Sequence, residues 1–502
     1  MRTDFFKVDL LSPVHIGTGD ELDPMSYLMR KENGAINCHV LDTNAWAREY
    51  PDPAELSTLF SGTNVPAMRG FLANHIEPAL FGTRRLLIKN PKIYDEYMQK
   101  LSDQRTSHQL LFSPHTTCAD RIPLIPGSSL KGSLRTAVID WLDREKRLGL
   151  KEAREKDRKG LEYIRRLESA LGPVTDSAFK QLKVGDVSGY SDSTCLVQPL
   201  ELRRKQEKSA TPKSMCEVLP SRLLGEEGRS ILFLKIGLGS PLKAADNRLT
   251  LKNGVSWTWT ELCELVTSYY RLRFEEEKTK FYGLSHFAPA KPAMESLEKE
   301  FNTAPGQMVL RVGHYSQVEF VTVRNNKPFT RKGKQGTPMP YGTTRTLADG
   351  LYPFGWIKLT PCSESEYRKG SIACEAANKA SEQERIVRRR ALEAERTQRL
   401  AETRDREEEA HRQAERERRQ QAELEALPED ERNVLLLERG DLDEQRISAL
   451  VQKIDSFDPQ LQVKAAKALK ELWISQKRWT KKECSKKQLI KVAAIKTILG
   501  EI

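Results

Sequence analysis

Apolar and polar positions alternate through FFKVDLLSPVHIG (5–17) and AINCHVLD (35–42), the period-two pattern of half-buried strands. Between them, TGDELDPMSYLMRKENG is crowded with Gly, Asp and Pro and reads as a loop-rich connection. Segments 69–81, 95–112 and 129–171 carry the helical period, the last one long and heavily charged after Gly149. Further on, 181–189, 194–204, 229–239, 308–316 and 318–324 (VEFVTVR) read as short strands, and 260–282 returns to helix. This interleaving over two similar stretches predicts an α+β architecture of two related units, 1–180 and 181–370, rather than a parallel doubly wound sheet.

The pattern then changes. From Ser371 to Leu427 there is neither Pro nor Gly, and opposite charges recur four residues apart. Ile386, Val387, Leu392 and Leu400 are too sparse for heptads, so 371–427 is predicted to be one solvated helix acting as a spacer. Beyond Pro428, Val463, Ala466, Leu469 and Trp473 form one apolar stripe and Leu489, Val492, Ile495 and Leu499 another, the signature of a small helical module over 428–502.

Charge adds direction. The 502 residues hold 82 Lys+Arg against 70 Asp+Glu, a formal +12 that attracts polyanions, although a basic surface with no such partner has the same composition. The eight cysteines show no CxxC pair and read as reduced, mostly buried thiols of a cytoplasmic protein. His115-x-x-Cys118 lacks a second half, so neither a metal nor another cofactor is expected. The charged, strand-like start is no signal peptide, and no apolar run approaches the ~20 residues that span a bilayer, so no membrane partner is expected.

Three places offer binding chemistry. In LIPGSSLKGSLRTAVIDWL (124–142), Leu130, Leu134, Val138 and Trp141 define one buried helical face. Gly127 with Ser128 or Ser129 then falls at the N-cap, where free amides and the helix dipole suit an anion. Lys131 and Arg135 stand four apart just inside, and the alternative is an ordinary serine-capped helix. GSSLKG lacks the GK[ST] ending of a nucleotide P-loop. Between Glu319 and Asp349 no acidic residue occurs, whereas Arg324, Lys327, Arg331, Lys332, Lys334 and Arg345 do, with Phe329 and Tyr341 among glycines. That is the makeup of a tract binding a nucleic-acid backbone, or of a solvated loop. In the tail, Lys477, Arg478, Lys481, Lys482, Lys486, Lys487, Lys491 and Lys496 follow Trp473 and surround Trp479, as a nucleic-acid contact or as the wet side of a bundle. For catalysis there is His15, a general-base candidate that equally suits a structural role, followed by Asp20, Glu21 and Asp23 in the next loop. No Ser-His-Asp order or nucleophile elbow appears.

Taken in order, SPVHIGTGDELDPMSYL, IPGSSLKGSLRTAVI and GTTRTLADGLYPFGWIKL resemble the RAMP superfamily of CRISPR proteins. More narrowly, over residues 1–360 they resemble the fifth Csm subunit, the terminal backbone protein of type III-A effector complexes. The resemblance implies modified ferredoxin-like (RRM-like) units whose glycine-rich loops hold a guide RNA by its backbone. It also implies capping of the crRNA 3′ end, support of crRNA maturation and antiviral RNA targeting, and contact with target RNA, the repeating backbone subunit and the small helical subunit. By position, the implied RNA contacts are His15, Gly17 and Gly19, then Ser128, Ser129, Lys131 and Arg135, then Gly313, Gly342, Arg345, Gly355 and Trp356. Arg324, Arg331, Lys332 and Lys334 of the acid-free tract join them, and 199–220 matches the hairpin thumb of backbone subunits. Asp20 and Asp23 lie where the repeating subunit carries its cleaving acid, but the flanking residues differ; no catalytic residue is assigned, and Asp23 is the one to test first. A RAMP endoribonuclease working through His15 and a subunit of another type III (Cmr-like) complex are the alternatives. The tail departs from the family core; the expectation is that it reaches a neighbouring subunit, the RNA's free end or a recruited nuclease.

Overall fold

The computed structural model describes residues 2–62, 64–101, 110–145, 169, 171–173, 177–205, 210–239, 247–251, 254–324, 342–480 and 484–501. Contacts divide the chain into two compact units, Met1–Glu393 and Ala394–Ile502.

In the first unit the opening strand, Arg2–Leu10, lies at the centre of a five-stranded antiparallel sheet. Ile231–Leu238 pairs on one side of it and Trp356–Cys362 on the other; Leu182–Val184 and Met308–Arg311 complete the two edges. Helix Gly127–Arg144 separates the opening strand from Leu182–Val184, and helix Trp259–Glu277 separates Ile231–Leu238 from Trp356–Cys362. Without the 308–311 edge, this is the ferredoxin-like βαββαβ order. Its strands come from both sides of residue 180, so the two halves of the chain build this sheet together.

Alternation in the first strand has a direct cause. Phe6, Val8 and Leu10 are wholly buried with the two helices, Phe6 meeting Trp259 at 4.7 Å between ring centroids. On the opposite face Phe5 meets Tyr367 at 4.8 Å, and Lys7 pairs with Glu366 at 2.9 Å. Both contacts come from the start of the long helix, Glu364–Ala426. That helix begins before the composition change at 371, and its first turns are docked. Cys374 and Asn378 donate to the Gly189 carbonyl, Arg385 donates to that of Thr83 at 2.9 Å, and a Cβ on Gly370 would overlap the Phe233 ring.

A six-stranded sheet draws four strands from the segment after the first strand and two, Cys195–Val197 and Met215–Val218, from the segment before Ile231–Leu238; Tyr27–Glu32 and Ala35–Leu41 form a hairpin in it. The connection read as a loop therefore contains a strand. Its turn, Asn33-Gly34, has φ of 49° and 79°, the two left-handed residues that a two-residue hairpin requires. Pro199–Arg203 and Thr211–Pro212 form a second hairpin, beside Thr344–Ala348; its tip lies outside the described residues. The 69–81 helix is broken at Pro78, the helix read over 95–112 is described as Pro91–Leu101 with 102–109 outside the described residues, and VEFVTVR holds a short 3-10 turn, Val318–Phe320, rather than a strand.

In the second unit, helices Glu429–Arg439, Glu444–Lys453, Pro459–Ser475 and Lys486–Ile498 bury Val434, Leu437, Leu450, Ala466, Leu469, Trp473, Val492 and Ile495. Val463, expected in that stripe, is 38 % exposed. No described helix is long and apolar enough to cross a membrane.

Candidate RNA interface

Three glycine-rich loops, 11–19 (the first), 353–355 (the second) and 312–317 (the third), meet beyond the ends of the central strands, and backbone hydrogen bonds join them. Leu11 and Ser12 donate to the Trp356 carbonyl at 3.0 and 3.1 Å, Gly355 to that of Pro13 at 2.8 Å, and Val312 to that of Gly355 at 2.8 Å. The His314 amide donates to the His15 carbonyl at 2.7 Å. A Cβ on Gly313 would overlap the His15 carbonyl oxygen and one on Gly355 that of Val312, and both residues have left-handed φ, 81° and 88°. These glycines let one loop lie against another. Gly19, with φ 94° and open space around it, is free of such a contact.

The motif helix starts at Gly127 behind Pro126, one residue before the expected serine cap, and no side chain caps it. Its first amide is already answered by a carboxylate, since Gly127 donates to Asp186 Oδ1 at 2.7 Å, while a Cβ at 127 would overlap the Val184 carbonyl. Ser128 is exposed. Lys131 turns to the sheet edge, donating to the Leu182 carbonyl at 2.9 Å; burial, then Lys183, lowers its pKa. Ser133 Oγ donates to the Arg311 carbonyl at 2.9 Å, tying the helix to the third loop.

Between these parts runs a groove of about 600 Å³ lined by Ile16 and Gly17 of the first loop, Ser129, Gly132, Ser133, Arg135 and Thr136 of the helix, and Gly313, His314 and Ser316 of the third loop. The structure thus brings together Gly17, Ser129 and Arg135 of the residues singled out from sequence, with Gly313 from the resemblance. It contributes Gly132, Thr136 and Ser316 besides; their place one and two helical turns after Ser129, or shortly after Gly313, was the available signal.

The described arginines of the acid-free tract are turned inward. Arg324 closes on Asp140 of the motif helix, through its amide at 2.7 Å and its guanidinium at 3.0 Å. Arg345 is 2 % exposed, with its guanidinium 2.6 Å from Glu277 and 3.2 Å from Glu319. Glu277 also pairs with Arg311 at 3.2 Å, and Glu319 accepts from the Gly342 amide at 2.8 Å. Burial works against the Glu319 carboxylate, but Arg345 and the amides around it hold its pKa below the usual range. Two cations and two carboxylates thus close a neutral buried cluster under the loops. Trp356, fully buried, packs on Phe274, Phe301 and Phe320 and belongs to the core. Lys327, Arg331, Lys332 and Lys334 lie outside the described residues.

His15 is 3 % exposed. Its Nδ1 donates to the Glu217 carbonyl at 2.6 Å, and burial, against that bond, lowers its pKa to about 4. His115 donates from Nε2 to the Leu124 carbonyl at 3.0 Å and accepts the Ile16 amide at Nδ1, and burial takes it to about 3. Both rings are neutral struts between loops. Asp23 folds its own turn, accepting from the Met25 amide at 2.8 Å, and Asp20 is exposed. Among the described residues, no group of three or more His, Cys, Asp or Glu is placed to hold a metal ion.

A ferredoxin-like α+β sheet, with a glycine-led first helix and glycine-stitched loops over it, is the class of scaffold this chain presents. Residues 7–243 match the family model of the RAMP superfamily. Among solved structures it is similar to a chain of a Csm–crRNA–target RNA ternary complex of a type III-A CRISPR-Cas system. The two share 21 % identity at a TM-score of 0.51, over 72 % of this chain and 100 % of that one. It is also similar to T. onnurineus Csm5, at 19 % identity and a TM-score of 0.46, over 70 % of this chain and 99 % of that one. Comparison with curated proteins gave no match.

Proposed function

We propose that this protein is a non-catalytic RNA-binding subunit of a type III-A (Csm-type) CRISPR effector complex. It holds crRNA by the sugar–phosphate backbone at the 3′ end of the assembly, beside the repeating backbone subunit and the small helical subunit, with target RNA as a further partner. The observation that carries the reading is the groove in which the first-loop glycine, the start of the first helix with Arg135, and the third glycine-rich loop converge. The half-buried hydroxyls of Ser129, Ser133 and Thr136 and the Arg135 guanidinium, set among glycines along the groove, suit phosphate and ribose and do not read base edges. The similarity to a chain from a complex that contains crRNA and target RNA supports the same partners. A strand-cleaving His15 is disfavoured because its Nδ1 proton is committed to Glu217 and its ring is buried.

The test is purification of the native assembly through a tag on this chain, followed by sequencing of the bound RNA and ultraviolet cross-linking. Cross-links to residues 129–136 or 313–316 from the 3′ part of a CRISPR RNA are expected. An assembly that contains this chain with no cross-link in those segments overturns the reading.

A further inference from the structure

The family match ends at residue 243, and the proposed function makes no use of the tail. Its charge is segregated. Residues 429–458 carry nine carboxylates and four cations, whereas 459–502 carry eleven cations and three carboxylates. The described residues of both stretches belong to the same small helical unit, and the net positive charge of the second stretch exceeds the net negative charge of the first; the Arg478–Glu444 pair at 3.2 Å is one link between them, and a basic surface is left.

Two local choices in this surface oppose helix stability. Helix Pro459–Ser475 ends with Lys477 in the left-handed region at φ 53°, its amide on the Ile474 carbonyl and that of Arg478 on the Trp473 carbonyl. That geometry belongs to a Schellman end, where glycine is the least strained residue. Helix Lys486–Ile498 opens with Lys486 and Lys487 in its first turn, where no acidic residue stands, and cations there face the positive end of the helix dipole. Lys486 and Lys487 are exposed, and Lys491 is half-buried one turn further along. Ile490, 72 % exposed, stands between them. Nearby in the same unit Trp479 has the ammonium groups of Lys470 and Lys496 5.8 and 5.5 Å from its ring. Residues that break a local rule without a compensating contact inside the fold point to a contact outside it.

We infer that this lysine surface, built from Lys477, Lys486, Lys487 and Lys491, is a second RNA-binding site that grips the phosphate backbone of a single strand. Lysine is depleted in the cores of protein interfaces, which are built on apolar and aromatic anchors, whereas ammonium groups along an acid-poor face suit phosphates. An anion over the start of helix Lys486–Ile498 also relieves the repulsion its lysines create there.

The experiment uses the full-length chain, fluorescein-labelled U30 RNA as probe and a salt titration. The variants are Lys477→Gly, Lys486→Glu with Lys487→Glu, and all three with Lys491→Glu. The combined variant is expected to bind at least tenfold more weakly at moderate salt, and to lower the slope of log K against log salt by about 3. Hydrogen exchange over 459–498 is expected to show Lys477→Gly and the Lys486/Lys487 pair at least as protected as wild type, because each removes a local strain. A weaker-binding but equally or better protected variant distinguishes a binding surface from a structural one. Arg135→Ala measured in parallel separates this site from the groove: if the groove does not bind RNA, that variant is silent while the tail variants still lose slope. An unchanged slope in the combined variant overturns the inference, as does equal affinity for poly-glutamate of the same length.

Discussion

Replacing Gly313 by alanine tests whether the glycine-rich loops are shaped by their contact with each other. Two costs are separable. The left-handed φ of 81° penalises any Cβ by about 1–2 kcal/mol. In addition the new carbon would overlap the His15 carbonyl oxygen, so the two loops must part and the 2.7 Å bond from the His314 amide to that oxygen is lost, for about 0.5–1.5 kcal/mol more. Gly19 supplies the internal control: its φ is 94° but no atom lies within 4 Å of a Cβ there, so Gly19→Ala carries the backbone cost alone. Because the chain has two compact units, one global unfolding free energy is not defined; amide exchange by mass spectrometry over peptides 308–320 reads the local opening. Gly313→Ala is expected to open that segment by about 2–3 kcal/mol more readily than wild type, with Gly19→Ala leaving it near wild type. Equal protection in both variants refutes the argument that close loop approach requires the glycine.

Glu277→Gln leaves Arg311 and Arg345 buried with Glu319 as the remaining carboxylate of the cluster, and is expected to destabilise the first unit by about 3–5 kcal/mol, seen as a lower first transition in differential scanning calorimetry. For His15 the folded pKa, about 4, lies below the ordinary value, so its neutral form is favoured by folding. Its contribution is complete above about pH 6.5 and is lost as pH falls through about 4, amounting to about 3 kcal/mol; wild type should lose stability over that window more steeply than His15→Gln in urea titrations. Arg135→Ala is expected to weaken RNA binding by about 1–3 kcal/mol. Lys131→Ala, whose ammonium serves the Leu182 carbonyl, should instead lower stability and leave binding near wild type, a contrast that parallel filter-binding and melting measurements resolve.

What the sequence disclosed follows from where the determining contacts lie. The alternation at 5–10 and 35–41 and the helical period at 130–141 depend on burial by neighbours of any identity, and such patterns survive in the chain itself. Asn33-Gly34 was a readable hairpin signal, masked by the loop-forming residues before it. VEFVTVR kept a strand-like composition, yet its shape is set by Glu319 meeting Arg345 and by Arg324 meeting Asp140, and neither partner is adjacent in sequence. For the same reason the acid-free tract looked like a run of available cations. The carboxylates that answer Arg324 and Arg345 are supplied from residues 140, 277 and 319, which lie outside or at the edge of the counted window. The groove was legible as three separate motifs; that Arg135 faces it while Lys131 does not depends on which side of the helix meets the Leu182–Val184 strand.

The location of the charge also bears on how an RNA would be held. Residues 459–502, less than a tenth of the chain, hold eleven cations against three carboxylates and so carry two thirds of the net +12, whereas the arginines under the loops are matched one to one by buried carboxylates. A buried, paired guanidinium adds little to the external field, because the field of its partner cancels it within a few ångströms. If both sites bind RNA as proposed, the groove would select by shape and by short hydrogen bonds, interactions that salt screens weakly, while the tail would act through net charge, which salt screens strongly. On the proposed reading, raising ionic strength should strip the tail's contribution first and leave a residual affinity that Arg135→Ala, and not the tail lysines, removes.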